Sequence, residues 1–158
     1  MSDKRMLKVL LMTVMTIVGA GIPAAWAEAP GDTLDMVLAE YGRIHEALAG
    51  DRVDGVALAA ARIEEVAKGE GGEAYLRLAA AASAMIGAEL GELRSEFKDL
   101  SLAMAGVVEA ASSARAELFH CAMEDGYWLQ RKGESARRNP YFGKSMLGCG
   151  EQVDRAED

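Results

Sequence analysis

The chain has 158 residues, 51% hydrophobic and 27% charged, so it has the composition of a folded domain and not of a disordered segment. Its formal charge of -8 leaves no basic surplus to displace counterions, which makes it a poor candidate for binding a phosphate backbone. Two His and two Cys exclude a zinc site of four His/Cys ligands unless every one is used, and 9 Met with 6% aromatics favour helices over a β-sandwich.

The N-terminal segment reads as an export signal. Lys4, Arg5 and Lys8 precede an almost wholly apolar run from Val9 to Ile22. Ala25-Trp26-Ala27 follows, an A-x-A pattern that predicts cleavage after Ala27. The run is shorter than the roughly 20 residues a membrane-spanning helix needs. Residues 1–27 are therefore assigned to a signal peptide, and the mature chain is expected to be periplasmic with no membrane span. In that compartment the two Cys can oxidise.

The next stretch predicts helices. Leu34, Val37, Leu38, Tyr41, Ile44 and Leu48 recur at steps of three and four, one apolar face of a helix over 33–49. Asp32 or Thr33 is its expected N-cap, and Gly50 its stop. Val53, Val56, Ala57, Ala60, Ile63 and Ala67 predict a second helix over 53–68, ended by Gly69-Glu70-Gly71-Gly72. Tyr75, Leu78, Ala82, Met85 and Ile86 predict a third over 73–88, with a break near 88–92. Leu93, Phe97, Leu100, Met104, Val107 and Val108 predict a fourth over 92–112. Short connections between helices of similar length make neighbours antiparallel. The expected class is all-α: an antiparallel bundle of about four helices over 28–117, with a loop-rich C-terminal motif that includes a short hairpin.

The bundle shows no catalytic pattern. Di-iron bundles need Glu-x-x-His on inward faces, and no Glu-x-x-His occurs. Glu64, Glu65, Glu89 and Glu92 read as solvated carboxylates, His45 as a core histidine, and Met36, Met85 and Met104 as core packing. No enzyme is expected, because no constellation of nucleophile, base and orienting group can be assembled.

Periodicity changes after Ser113. Residues 118–150 hold both Cys, His120, Trp128, Tyr127, Tyr141 and Phe142, and are punctuated by Gly126, Gly133, Gly143, Gly148 and Gly150. They read as an extended piece near 118–122, a turn at 124–126, an extended piece near 127–131 and a short helical turn near 140–147. The aromatics are expected to pin this segment onto the bundle. Arg131, Lys132, Arg137 and Arg138 read as a surface paired with the acidic bundle. Residues 151–158 read as an acidic tail.

Two sulfur pairs carry the chemistry. Cys121 and Met123 lie two apart, on one side of an extended strand. Met146 and Cys149 lie three apart, on one face of a helical turn. Thiolates and thioethers are soft ligands suited to Cu(I) or Ag(I). If the two pieces meet, Cys121, Met123, Met146 and Cys149 surround one ion, with His120 as an extra ligand. The alternative is a Cys121–Cys149 disulfide, which would stabilise the fold by about 3–4 kcal/mol in the chain-entropy picture. The two states can also alternate, with only the reduced form binding metal.

The string His120-Cys121-Ala122-Met123, Tyr127-Trp128-Leu129-Gln130, Asn139-Pro140-Tyr141-Phe142-Gly143, Met146, Cys149-Gly150 resembles a bacterial exported domain family of unassigned function. That family's pattern is Cys-Pro-Met, then Trp-Leu, then Asn-Pro-Tyr-(Tyr/Phe)-Gly-x-x-Met-x-x-Cys-Gly. The family also occurs as the C-terminal domain of periplasmic adaptor subunits in heavy-metal efflux systems, copper and silver types included. The resemblance implies sulfur ligands at Cys121, Met123, Met146 and Cys149. It also implies a structural motif of Trp128, Asn139, Pro140, Tyr141, Phe142 and Gly143, and a heavy-metal efflux system or other periplasmic protein as partner. Ala122 departs from the pattern where Pro is usual. It frees a backbone N–H and loosens φ there without removing a sulfur.

Overall fold

A computed structural model describes residues 32–134 and 136–154. The signal peptide assigned to residues 1–27 and the end of the chain from residue 155 lie outside the described residues. Four helices come first: α1 (Thr33–Ala49), α2 (Val56–Glu70), α3 (Glu73–Ala84) and α4 (Leu90–Ala110). Three strands follow: β1 (Ala116–Cys121), β2 (Gly126–Arg131) and β3 (Glu151–Val153), with one 3-10 turn at Gly143–Ser145 between β2 and β3.

The architecture is mixed α/β, which corrects the all-α expectation. The four helices and the hairpin are present, but α2 starts at Val56 and runs through Gly69 to Glu70, leaving Val53 exposed ahead of it. The difference is β3, whose residues read as the start of an acidic tail. Its three residues are too few for an alternating pattern to declare itself, and they become a strand only by pairing with β1. The sheet is antiparallel with order β2-β1-β3.

Local chemistry explains the helix limits. The Asp32 carboxylate caps α1 by accepting the Leu34 N–H at 3.2 Å. Thr33, the other cap candidate, donates instead to Glu70 on α2 at 2.8 Å. Gly50 closes α1 by donating to the last carbonyls. The third helix ends at Ala84, short of residue 88, and Ile86 is exposed beyond it. Met36 also departs from its expected core place: it is 46% exposed, one step off the buried stripe of α1.

Each helix packs on the next in chain order, α4 returns against α1, and the sheet lies on α4 through β2. Leu34, Val37, Leu38, Tyr41, Ile44 and Leu48 of α1 are all buried, as their spacing requires. They meet Ile63, Leu78, Leu93, Phe97, Leu100 and Met104 in one core, which continues into Phe119, Trp128 and Tyr141. The aromatics form the joint between layers. Tyr41 stacks on Phe97 at 5.1 Å, Phe97 meets Tyr141 at 6.1 Å, and Tyr141 meets Trp128 edge-on at 6.3 Å. The Tyr41 hydroxyl sits 2.8 Å from Ser101 and accepts the Leu129 N–H at 3.0 Å. That bond satisfies a backbone donor on the bundle side of β2. Among the described residues no helix is long and apolar enough to cross a membrane.

Candidate functional site

The site forms where the end of β1 meets the loop that precedes β3. Cys121 is the last residue of β1, opposite Gly126 in the hairpin register, and is fully buried. Met123 stands in the turn between the strands, where Glu124 N–H donates to the Cys121 carbonyl at 3.2 Å. Lys98 of α4 fixes that turn, with its Nζ 2.5 Å from the Glu124 carbonyl and 3.4 Å from the Glu124 carboxylate. The Met123 side chain itself is 66% exposed.

Cys149 comes from the other side of the gap, and Asn139 places it. Asn139 is fully buried. Its Nδ2 donates to the Cys149 carbonyl at 3.0 Å, and its Oδ1 accepts from the N–H of Tyr141 and of Phe142 at 2.8 and 3.2 Å. Its own N–H donates to the Leu147 carbonyl at 2.8 Å. One side chain thus ties both ends of the 139–149 loop. Arg94 of α4 anchors the same loop to the bundle: it donates to the carbonyls of Pro140 and Leu48 and pairs with Asp51 at 2.6 Å. Asp51 in turn accepts the Lys144 N–H. The Arg94 guanidinium holds the Asp51 carboxyl below its usual range.

Gly150 sets how close the loop can come. Its φ is +119, and a Cβ there would lie 2.4 Å from the Trp128 ring and 2.9 Å from the His120 carbonyl. The absence of a side chain lets the loop lie flat on Trp128 and brings Cys149 down to Cys121. Trp128 is held in turn: its Nε1 donates to Gln130 at 2.9 Å, and Gln130 also takes the Arg138 N–H.

Three sulfurs meet as a result. Cys121 Sγ lies 3.8 Å from Cys149 Sγ, and Cys149 Sγ lies 3.8 Å from Met123 Sδ. Both cysteines are free thiols. Hydrogen bonding between the thiols, then burial, raises the Cys149 thiol above its ordinary value, and Arg137 works weakly against that shift. The spacing suits a shared ion: sulfur ligands about 2.3 Å from a metal are about 3.8–4.0 Å apart in tetrahedral or trigonal arrangement. The donor set is all sulfur, so it fits a soft monovalent ion. Among the described residues no group of three His, Cys, Asp or Glu side chains is gathered that could hold a metal ion.

The remaining predicted ligands stand differently. His120 alternates with Cys121 along β1 and so faces the other side of the sheet, where it stacks on Tyr127 at 4.4 Å. Its Nε2 lies 3.4 Å from Asp125. Met146 enters through its backbone, its carbonyl accepting the Cys149 N–H at 3.1 Å. Its thioether hydrogen-bonds neither thiol, and the side chain is 36% exposed. Of the structural motif, Trp128, Asn139, Pro140, Tyr141 and Gly143 are buried and Phe142 is partly buried. The supporting roles of Arg94 and Lys98 leave no mark in local sequence, because each acts on a segment distant along the chain.

In comparison with known proteins, no family model, no curated protein and no solved structure matches this chain.

Proposed function

We propose that this chain is an exported, periplasmic soft-metal-binding or metal-efflux-accessory protein, with Cu(I) or Ag(I) as its cargo. The observation that carries the reading is the contact of Cys121, Cys149 and Met123 at successive separations of 3.8 Å. Two thiolates and one neutral thioether suit a monovalent soft ion and leave the bound group with one negative charge. The chain's own residues do the work. The hairpin holds Cys121, Asn139 holds Cys149, and Lys98 holds the turn carrying Met123. The signal-like N-terminus and the resemblance of the C-terminal motif to efflux-associated domains support the same reading. A heavy-metal efflux system is the partner this reading names, and non-catalytic cargo handling is the role.

The deciding experiment is mass spectrometry with a thiol count on reduced protein after exposure to Cu(I). One ion per chain, lost when Cys121 and Cys149 are both replaced by Ser, is the expected result. Unchanged binding in that double variant would overturn the proposal.

A second reading has its own observation. Thiols 3.8 Å apart in a buried joint are placed to close a disulfide with a small side-chain rotation. The motif would then be a stapled structural or protein-interaction module. Protein from its native compartment would be two hydrogen masses lighter than reduced protein and inert to Cu(I) even after reduction. Two free thiols in that material would end this reading.

A further inference from the structure

We infer that Met123 is the exchange ligand of the sulfur site, the point through which a cuprous or silver ion passes between this chain and a partner presenting its own thioether or thiolate. The inference rests on the proposed function and adds to it a direction of entry and a class of partner.

The three sulfurs form a graded path. Met123 is 66% exposed, Cys149 is intermediate and Cys121 is fully buried. Each step is 3.8 Å, so one end of the path reaches solvent and the other reaches the core. Packing does not account for Met123. A thioether two-thirds exposed contributes little burial, yet its sulfur contacts the Cys149 thiol. The turn beneath it is fixed by Lys98 and by the Glu124–Cys121 backbone bond, while the side chain stays two-thirds exposed. Fixed backbone with an exposed, flexible side chain is what a ligand needs if it is to reach outward and return.

Protonation supports the same order. The Met123 thioether carries no proton and can bond to a soft ion at once. Each thiol must release a proton to solvent before it binds as a thiolate. In the exchange, the bond between the ion and the partner's ligand breaks as the bond to Met123 Sδ forms. Cys149 and then Cys121 bind as thiolates, releasing two protons. The ion remains monovalent throughout and no electron moves. Delivery is the reverse.

The test is stopped-flow transfer of Cu(I) between a chromophoric cuprous chelator and the reduced full chain, in both directions, for wild type, Met123→Leu and Met146→Leu. Leu keeps the size and removes the sulfur, and an exposed position tolerates the change. Uptake is expected to slow by about tenfold for Met123→Leu with release no faster than in wild type, so that the affinity falls by about the same factor. Met146→Leu is expected to match wild type. Unchanged rates in Met123→Leu, or a loss of affinity arising from faster release, would overturn the inference and leave the binding site standing. Wild-type protein that takes up no Cu(I) would overturn the proposed function itself, and the inference with it.

Discussion

At the scale of single residues, the site depends on side chains that bond far along the chain. Asn139 is the clearest case, since its four hydrogen bonds join residues 139–142 to residues 147–149. Asn139→Ala leaves buried N–H and C=O groups without partners, each worth about 1–3 kcal/mol. We expect a loss of about 3 kcal/mol in urea unfolding, and weaker Cu(I) binding even where the protein stays folded, because Cys149 is no longer placed. Tyr41→Phe removes the acceptor of the Leu129 N–H and the partner of Ser101. A loss of about 1–3 kcal/mol is expected, read as a lower urea midpoint with an unchanged slope. The sulfur residues were legible in the sequence as two pairs, but β1 ends at Cys121 and Met123 stands in the turn beyond it, so the shared strand face expected from their spacing does not form. His120 was not excluded by sequence alone. Its orientation away from the sulfurs follows from strand alternation, once the strand is known to reach Cys121.

At the scale of elements, the hairpin and the 139–150 loop are each short and marginal alone, and they gain stability from one another. Gly150 is the tightest point of that contact. Gly150→Ala would put a methyl into the Trp128 ring and strain a positive φ. The expected result is a loss of about 1–3 kcal/mol and a changed Trp128 fluorescence, checked by thermal unfolding and emission spectra. Gly→Ala at Gly148, where nothing lies within 4 Å, is the matched control and should leave both measurements unchanged. The helices needed none of this context. Their apolar stripes repeat for several turns, so each could be drawn from sequence to within a few residues. The third strand had no such repeat. Glu151–Val153 is polar and three residues long, and its strand geometry comes from the β1 edge it pairs with.

At the scale of the whole molecule, bundle and sheet act as one core, and a buried histidine reports on their junction. His45 lies in α1, nearly fully buried, with Nε2 2.6 Å from the Arg138 carbonyl of the site loop. Burial lowers its pKa below 6.5, outweighing the pull of Glu46 and Glu134. The unfolded chain therefore takes up the proton first as pH falls, so stability is lost as pH drops through and below about 6.5 and is retained above it. Urea midpoints measured across this range should fall for wild type. His45→Gln should flatten that dependence over the same range. Sequence by itself determined the helices and the region that holds the sulfur side chains, because periodicity and residue type are local properties. Only the tertiary structure decided that the sheet has a third strand, that Met123 stands with the two thiols, and that His120 turns away. Those outcomes depend on which distant segments come within a few ångströms, and on the space a missing side chain at Gly150 leaves for them.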